Sequence, residues 1–177
     1  DVILQTGETL LQHFQQVKEV SRKGKGNLVT NVDILAEKQA ISLLQAEFPD
    51  HNIMSEETSR PPGDSSFTWI LDPLDGTNNY TFGIPFFSTT LALLQGDEIV
   101  LGLIYDPIRR ELFQAARGGG ATVNGKPMAV STKTSLADAF IGYDMGYDSG
   151  EGARLLRIAS FLWPQVHSLR VMGSAAL

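Results

Sequence analysis

Asp72 and Asp75 stand three residues apart in Trp69-Ile-Leu-Asp72-Pro-Leu-Asp75-Gly-Thr77-Asn-Asn-Tyr80, with the Leu74 carbonyl between them and Gly76 just beyond. Oxygen donors spaced this way suit a hard divalent cation. Mg2+ takes an octahedral shell, usually one or two carboxylates completed by substrate phosphate and water. Gly76 lets the backbone come close to whatever binds. Asp-Pro and Asp-Gly are equally ordinary turn dipeptides, which explains each pair separately. Two more acids, Glu56 and Glu57, follow the short run Ile53 to Ser55. Taken alone, neighbouring glutamates are solvated surface. If that run and the run ending at Leu71 are adjacent strands, parallel or antiparallel, both exits meet and the acids converge.

The elements that would position these groups are legible in outline. Phe67 to Leu71 is short, aromatic and β-branched, which predicts a buried strand that Pro73 stops. Upstream, Leu10, Leu11, Phe14 and Val17 predict a helix over 8–20. Ser21-Arg-Lys23-Gly-Lys25-Gly-Asn27 reads as a polar loop, either a solvated connector or a flap bringing Lys23 or Lys25 to an anion. Thr30 followed by Asp33 fits a capping box, so Asp33 already has a complete structural explanation. The helix it opens would bury Ile34, Ile41, Leu44 and Phe48 and end at Pro49.

From Phe86 to Val130 the pattern is antiparallel: Ser88–Leu94, Ile99–Tyr105 and Glu111–Ala116 as strands, then a hairpin at Asn124-Gly125. Pro127 keeps the strand that follows short. Gly118-Gly119-Gly120 lacks the lysine and serine of a nucleotide loop and reads as a bend. Further strands fall at Ala139–Gly142 and His167–Met172, around a helix over 151–162 whose inner face is Leu155, Ile158 and Leu162. Gly173-Ser174-Ala175-Ala176 looks like the opening of another helix. His13, His51 and His167 have no ligand-spaced partner and read as structural.

Composition narrows the classes. The 177 residues are 42% hydrophobic and 19% charged, enough for a sizeable core. A net charge of −6 without a basic stripe argues against nucleic acid. The absence of cysteine excludes disulfides, thiolate zinc sites and cysteine nucleophiles. No apolar run approaches a membrane span and no signal peptide is apparent, so the expected location is cytoplasmic. Asn79-Tyr80-Thr81 fits a glycosylation pattern, which reads as coincidence.

Two phosphatase patterns compete for Asp72-x-x-Asp75-Gly-Thr77. The haloacid dehalogenase type needs a nucleophilic aspartate two residues before the second Asp, and Pro73 stands there. The stretch Trp69 to Tyr80 instead resembles the metal-binding signature of the inositol monophosphatase family. Asn27-Leu-Val-Thr30-Asn-Val-Asp33 is similar to that family's upstream motif, and Phe48-Pro-Asp-His51 through Ser55-Glu56-Glu57 to its glutamate motif. All three stand in family order at suitable spacing, and the resemblance covers nearly the whole chain. The family's second signature, Trp-Asp followed by small residues, does not follow. A fragment of a longer protein is therefore expected, since a helix one turn long is an implausible terminus.

The resemblance implies an α/β (α+β layered) fold, the family's αβαβα sandwich. Residues 1–130 would supply helices and an antiparallel sheet carrying the metal site, and 131–177 the start of a second α/β half. It implies two or three Mg2+ per site: Glu56, Asp72 and the Leu74 carbonyl for the first, Asp72 and Asp75 for the second, and a weaker ion near Glu56. Thr77 would bind the attacking water and Asp33 would orient Thr77, with Glu56 completing the catalytic set and Glu57 supporting it. Substrate would meet Gly76, Thr77, Asp75, Gly173, Ser174, Ala175 and Lys23 or Lys25. The expected substrate is a small phosphorylated metabolite, inositol monophosphate first. Fructose bisphosphate, a phosphoadenosine nucleotide and histidinol phosphate are the alternatives, and a protein-binding role with lost catalysis is a further one. Family members are commonly homodimers.

Overall fold

The computed structural model describes residues 1–16, 19–22, 24, 28–56 and 63–177. Helix α1 covers Val2–His13 and not 8–20, because Phe14 turns extended and Gln15 takes a positive φ of 64°. Its buried face is Val2, Ile3, Thr6, Gly7 and Leu10, one helical stripe. Val17 lies outside the described residues. Strand β1, Val20–Arg22, pairs antiparallel with β2, Leu28–Thr30, so Ser21 and Arg22 belong to a strand and not to the expected loop. Lys23, Lys25 and Asn27, between them, lie outside the described residues, as does Glu57.

Helix α2, Asn31–Glu47, opens with the expected capping box: the Thr30 hydroxyl accepts from Val32 and Asp33, and the Asp33 carboxylate accepts from the Thr30 amide. Leu44 is buried as expected, with Ile41 and Phe48 packed against the same core, but Ile34 is not. Ile34 is 41% exposed, while Asp33 and Glu37 are 1% and 2% exposed beside Val32, Ala36, Ala40 and Leu44. Small residues and two acids take the inner positions because the helix packs closely on α1 and on the site.

Strand β3, Asn52–Ser55, runs parallel to β4, Phe67–Asp75. β4 does not stop at Asp72. A register shift between Asp72 and Asp75 carries it past Pro73, whose missing N–H then costs no ladder bond, and Asp75 pairs with Ser88. A short helix α3, Thr77–Thr81, follows. Then come β5 (Ser88–Gln95), β6 (Glu98–Asp106), β7 (Glu111–Ala116), β8 (Gly120–Val123) and β9 (Lys126–Pro127). These strands form one seven-stranded sheet in the order β3-β4-β5-β6-β7-β8-β9. The sheet is mixed, not purely antiparallel, since β3 joins it in parallel. The Asn124-Gly125 hairpin forms as expected, and Pro127 sits in a two-residue edge strand.

Helices α1 and α2 cover one face of the sheet, where Val2, Ile3, Ala40 and Leu44 meet Trp69, Leu71, Leu91 and Tyr105. A second cluster, Leu10, Val32, Ala36, Leu74, Tyr80 and Phe87, lies under the Asp75-Gly76-Thr77 turn. Full burial of each large side chain contributes roughly 1.5–3 kcal/mol. The Tyr80 hydroxyl donates to the Leu10 carbonyl at 2.7 Å, so its polar end is satisfied inside that cluster. The other sheet face holds a hollow of about 440 Å3 without a titratable side chain, lined by residues such as Ile70, Ala92, Ile104 and Met128.

Strand β10, Phe140–Tyr143, and β11, Ser168–Val171, pair parallel, joined through helix α4, Ser149–Leu162. Ala159 is the buried residue of α4; Ile158, expected inside, is 42% exposed. Residues 173–177 are not helical. The whole is the layered α/β architecture expected. Among the described residues no helix is long and apolar enough to cross a membrane.

Gly7 sits where α1 meets Tyr105, and a Cβ there would fall 2.3 Å from a ring carbon of that buried tyrosine. Gly7→Ala gains helix propensity of about 1 kcal/mol but overpacks the core at a cost of about 1–3 kcal/mol. A net loss near 1 kcal/mol is expected in urea unfolding, and a more stable variant would contradict this packing.

Candidate active site

Parallel pairing of β3 with β4 puts Ser55 opposite Leu71, and the Glu56 amide donates to the Leu71 carbonyl at 3.2 Å. Glu56, just past the end of β3, and Asp72, within β4, therefore stand side by side. Asp72 is half-buried at the irregularity, where its Oδ1 accepts from the Leu74 amide at 3.1 Å. Burial, then the neighbouring Glu56 and Asp75 charges, push the Asp72 carboxyl up to about 8. A hydrogen bond with Glu56 adds to this rise.

Asp33 reaches the same place from the first turn of α2. Its Oδ2 accepts from the Thr30 amide at 2.9 Å and from the Thr30 hydroxyl. Its Oδ1 stands 3.2 Å from the Thr77 hydroxyl, which is also 3.0 Å from the Leu74 carbonyl. Burial raises the Asp33 pKa, and the bonds from Thr30 and Thr77 oppose that rise. Gly76, the N-cap of α3, has a φ of 87°, and a Cβ there would press on the Phe86 and Gly173 carbonyls. Only glycine lets the turn close there without strain.

Asp75 is buried and turned toward the C-terminal segment. Its carboxylate accepts from the Ser88 hydroxyl at 3.0 Å, from the Ser174 hydroxyl, and from the Ala175 and Ala176 amides at 2.8 and 3.3 Å. Gly173, Ser174 and Ala175 are thus brought to the site, by hydrogen bonds to Asp75 and not by a helix of their own. Asn79 adds a second clamp: its amide nitrogen stands 2.9 Å from the Phe86 and Met172 carbonyls and 3.2 Å from that of Gly173. That buried, engaged side chain agrees with reading the sequon as coincidence.

A cavity of about 260 Å3 gathers Glu56, Asp72, Leu74, Asp75, Gly76 and Thr77, with Gly173, Ser174 and Ala175. Lys23 lies outside the described residues, so its place relative to this cavity is not described. Asp144 and Tyr147, from the loop after β10, also line it and have no counterpart in the sequence reading. No spacing rule points to them, since they are exposed residues brought in by the second sheet. Ser88 and Asn79 were equally unsignalled; the proximity of Asn79 to the Asp-Gly-Thr turn was its one clue.

The donor chemistry fits a hard divalent cation. Among the described residues no lysine or arginine lines the cavity beside Glu56, Asp72 and Asp75, and burial together with the Glu56 and Asp75 charges holds the Asp72 proton. Two carboxylates and the Leu74 carbonyl are the oxygen set such an ion takes. Among the described residues no three acidic, histidine or cysteine side chains converge as a ready-made ligand group. The Asp75 oxygens accept from Ser88, Ser174, Ala175 and Ala176, so its charge is engaged differently from those of Glu56 and Asp72.

Comparisons with known proteins identify the family and match the fold. The model of the inositol monophosphatase family matches residues 1–177. Inositol monophosphatase 1 of Solanum lycopersicum is 37% identical over all of this chain, which covers 67% of that relative. The crystal structure of the extragenic suppressor protein suhB from Bartonella henselae superposes with a TM-score of 0.93 at 35% identity, covering 99% of this chain and 69% of that one. An IMPase/NADP phosphatase solved with Mg2+ and phosphate matches at a TM-score of 0.80 and 28% identity, covering 96% of this chain and 63% of that one. The chain spans about two thirds of the length of these relatives. It belongs to the inositol monophosphatase family, a family of phosphatases.

Proposed function

We propose that this chain carries the hydrolytic site of a Mg2+-dependent phosphomonoesterase that acts on a small phosphate ester, inositol monophosphate foremost. The observation that carries the reading is the Thr77 hydroxyl, 3.2 Å from the Asp33 carboxylate, beside the converging Glu56 and Asp72. Glu56, Asp72 and the Leu74 carbonyl would hold one Mg2+, Asp72 and Asp75 a second, with a third near Glu56. Bound there, the cations supply the positive charge that admits a phosphate dianion to an acidic pocket and acidify water for attack.

The chain's own residues do the positioning. Thr77 has one hydroxyl proton and two acceptors within reach, Asp33 and the Leu74 carbonyl. Donation to Asp33 aims its lone pairs into the cavity and leaves the Leu74 carbonyl open as a ligand. Asp33, fixed by Thr30 and unable to turn, accepts that proton and through Thr77 sets the direction from which water approaches phosphorus. The Gly76 and Thr77 amides and Ser174 face the ester. Attack is in line and direct, with no phosphoenzyme. Homodimerisation belongs to the same reading and rests on the family resemblance, and a cytoplasmic location is proposed with it. Single turnover in isotopically labelled water tests the chemistry: label is expected in free phosphate, and label in the protein would refute direct attack.

Three outcomes follow from the geometry. Thr77→Ala should lower kcat about 10²–10³-fold with KM little changed, while Thr77→Ser keeps most of the rate; equal losses in both would remove the hydroxyl from the mechanism. Asp72 is held up to about 8, so protons compete with the cation. Mg2+ affinity should rise about tenfold per pH unit as pH climbs toward 8, with proton release visible by calorimetry in buffers of different ionisation enthalpy. A pH-independent affinity would contradict the proton held on Asp72.

The same shift sets a stability sign. The folded state holds the Asp72 proton more tightly than the unfolded chain, whose carboxyl has the ordinary value of 3.8. This contribution favours folding in acid and is withdrawn as pH rises from about 4 to about 8. Asp72→Asn keeps an acceptor for the Leu74 amide but removes the charge. It should abolish Mg2+ uptake and turnover, yet melt about 4 °C higher than the parent at pH 8.5 without divalent cations. A lower melting point there would show that the carboxylate stabilises the fold.

A further inference from the structure

The cavity has one wall for which neither the family motifs nor the proposed chemistry provides a use. Asp144 and Tyr147 enter it from the loop between β10 and α4, beside Gly146 and next to Ser174 and Ala175. The loop is built to hold them. Gly146 turns it with a φ of 60°, Asp144 accepts from the Met145 amide at 2.6 Å, and Asp148 caps α4 by accepting from Glu151 at 2.8 Å. The Tyr147 hydroxyl lies within the field of Glu56, Asp144, Asp72 and Asp75, which with desolvation raises its pKa and keeps it protonated. Tyr147 is nevertheless 52% exposed, so its ring is a lip of the cavity and not part of a core.

These features define what the alcohol half of a substrate meets. At about 260 Å3 the cavity is at the small end for small-molecule sites. A phosphate above Glu56 and Asp72 leaves its alcohol little choice but to reach the loop. There it finds a carboxylate, which only accepts hydrogen bonds, and a phenol whose ring offers an apolar face and whose tip offers a donor. Hydroxyl groups on a ring suit both. A second phosphate suits neither: it meets Asp144 where a bisphosphate site would need a base, and among the described residues no lysine or arginine stands beside Asp144 in this lining.

Resting on the phosphatase reading above, we propose that Asp144 and Tyr147 are the specificity wall of this site. They admit a monoester whose alcohol is an uncharged polyhydroxylated ring and disfavour an ester that bears a second phosphate. Asp144 supplies the repulsion and an acceptor for ring hydroxyls, and Tyr147 supplies the face against which the ring lies.

Equilibrium binding to the chain with Ca2+ as a cation that limits turnover tests this. Calorimetry would compare inositol 1-phosphate with fructose 1,6-bisphosphate for the parent, Asp144→Asn, Tyr147→Phe, Tyr147→Ala and Asp72→Asn. The parent is expected to prefer the monophosphate. Asp144→Asn should narrow that preference about tenfold by tightening the bisphosphate, the size of a strong like-charge contact. Tyr147→Ala should weaken the monophosphate about tenfold while Tyr147→Phe keeps most of its affinity, as expected for loss of an aromatic contact face. Asp72→Asn should lose both ligands. If it does, but the preference is the same in the parent, Asp144→Asn and Tyr147→Ala, the wall is overturned and the site stands. If Asp72→Asn binds both ligands as the parent does, or the parent binds neither, the site itself fails and the wall with it.

Discussion

The constraint on which this structure turns is electrostatic. Three carboxylates, Glu56, Asp72 and Asp75, line one cavity, and among the described residues no basic side chain joins them there. Left to themselves they would spread into solvent. The parallel ladder between β3 and β4 prevents this for Glu56 and Asp72, because Ser55 is locked opposite Leu71 and the next residue on each strand has nowhere else to go. Burial and that repulsion together appear as the proton that Asp72 retains. A pocket strained in this way favours any ligand that brings positive charge, so cation affinity and fold instability are two readings of one arrangement.

The opposing stabilisation comes from below. Leu74 and Tyr80 bracket the Asp75-Gly76-Thr77 turn, and both are fully buried against Leu10, Val32, Ala36 and Phe87. Phe14 and Phe87 pack on Tyr80 at centroid separations of 5.5 and 4.8 Å, the second edge-on. The turn is thus nailed to α1 and α2 by side chains one or two residues away from the polar groups. Asp75 is treated differently. Its charge is dispersed over Ser88, Ser174 and two backbone amides, which ties the second sheet's exit to the first sheet's turn. Asn79 repeats the connection through carbonyls 172 and 173. The same short stretch therefore serves the pocket and the junction between the two halves.

Local signals in the sequence carried well into the structure, and non-local ones did not. Thr30 and Asp33 form the expected capping box because the box is a contact within four residues of chain. The Asn124-Gly125 hairpin and the strands from Ser88 to Ala116 follow for the same reason. Ile34 was misplaced because hydrophobicity alone ranks it above Asp33 and Glu37, while the tertiary fold needs acids and small residues on that face. Pro73 reads as a strand terminator until the register shift beside it is known. The convergence of Glu56 with Asp72 was legible only as a condition on strand pairing. Asp144 and Tyr147 could not be read at all, since they reach the cavity through the pairing of β10 with β11 and not through any sequence pattern.

One hydroxyl proton links these layers. Thr77 stands between Asp33 and the Leu74 carbonyl, and its proton serves one of them at a time. Pointed at Leu74, it merely closes the first turn of α3 and satisfies a buried carbonyl. Pointed at Asp33, it frees that carbonyl and turns the oxygen's lone pairs toward the cavity. A cation drawn to Leu74 by the neighbouring carboxylates competes directly with the first arrangement, because a carbonyl oriented to a cation is a poorer partner for a hydroxyl proton. In the proposed mechanism, then, loading the site would also set the hydroxyl for its task. The capping acid of α2 is what makes that possible: buried and already fixed by Thr30, it is an acceptor waiting at 3.2 Å that the helix supplies as a consequence of how it begins.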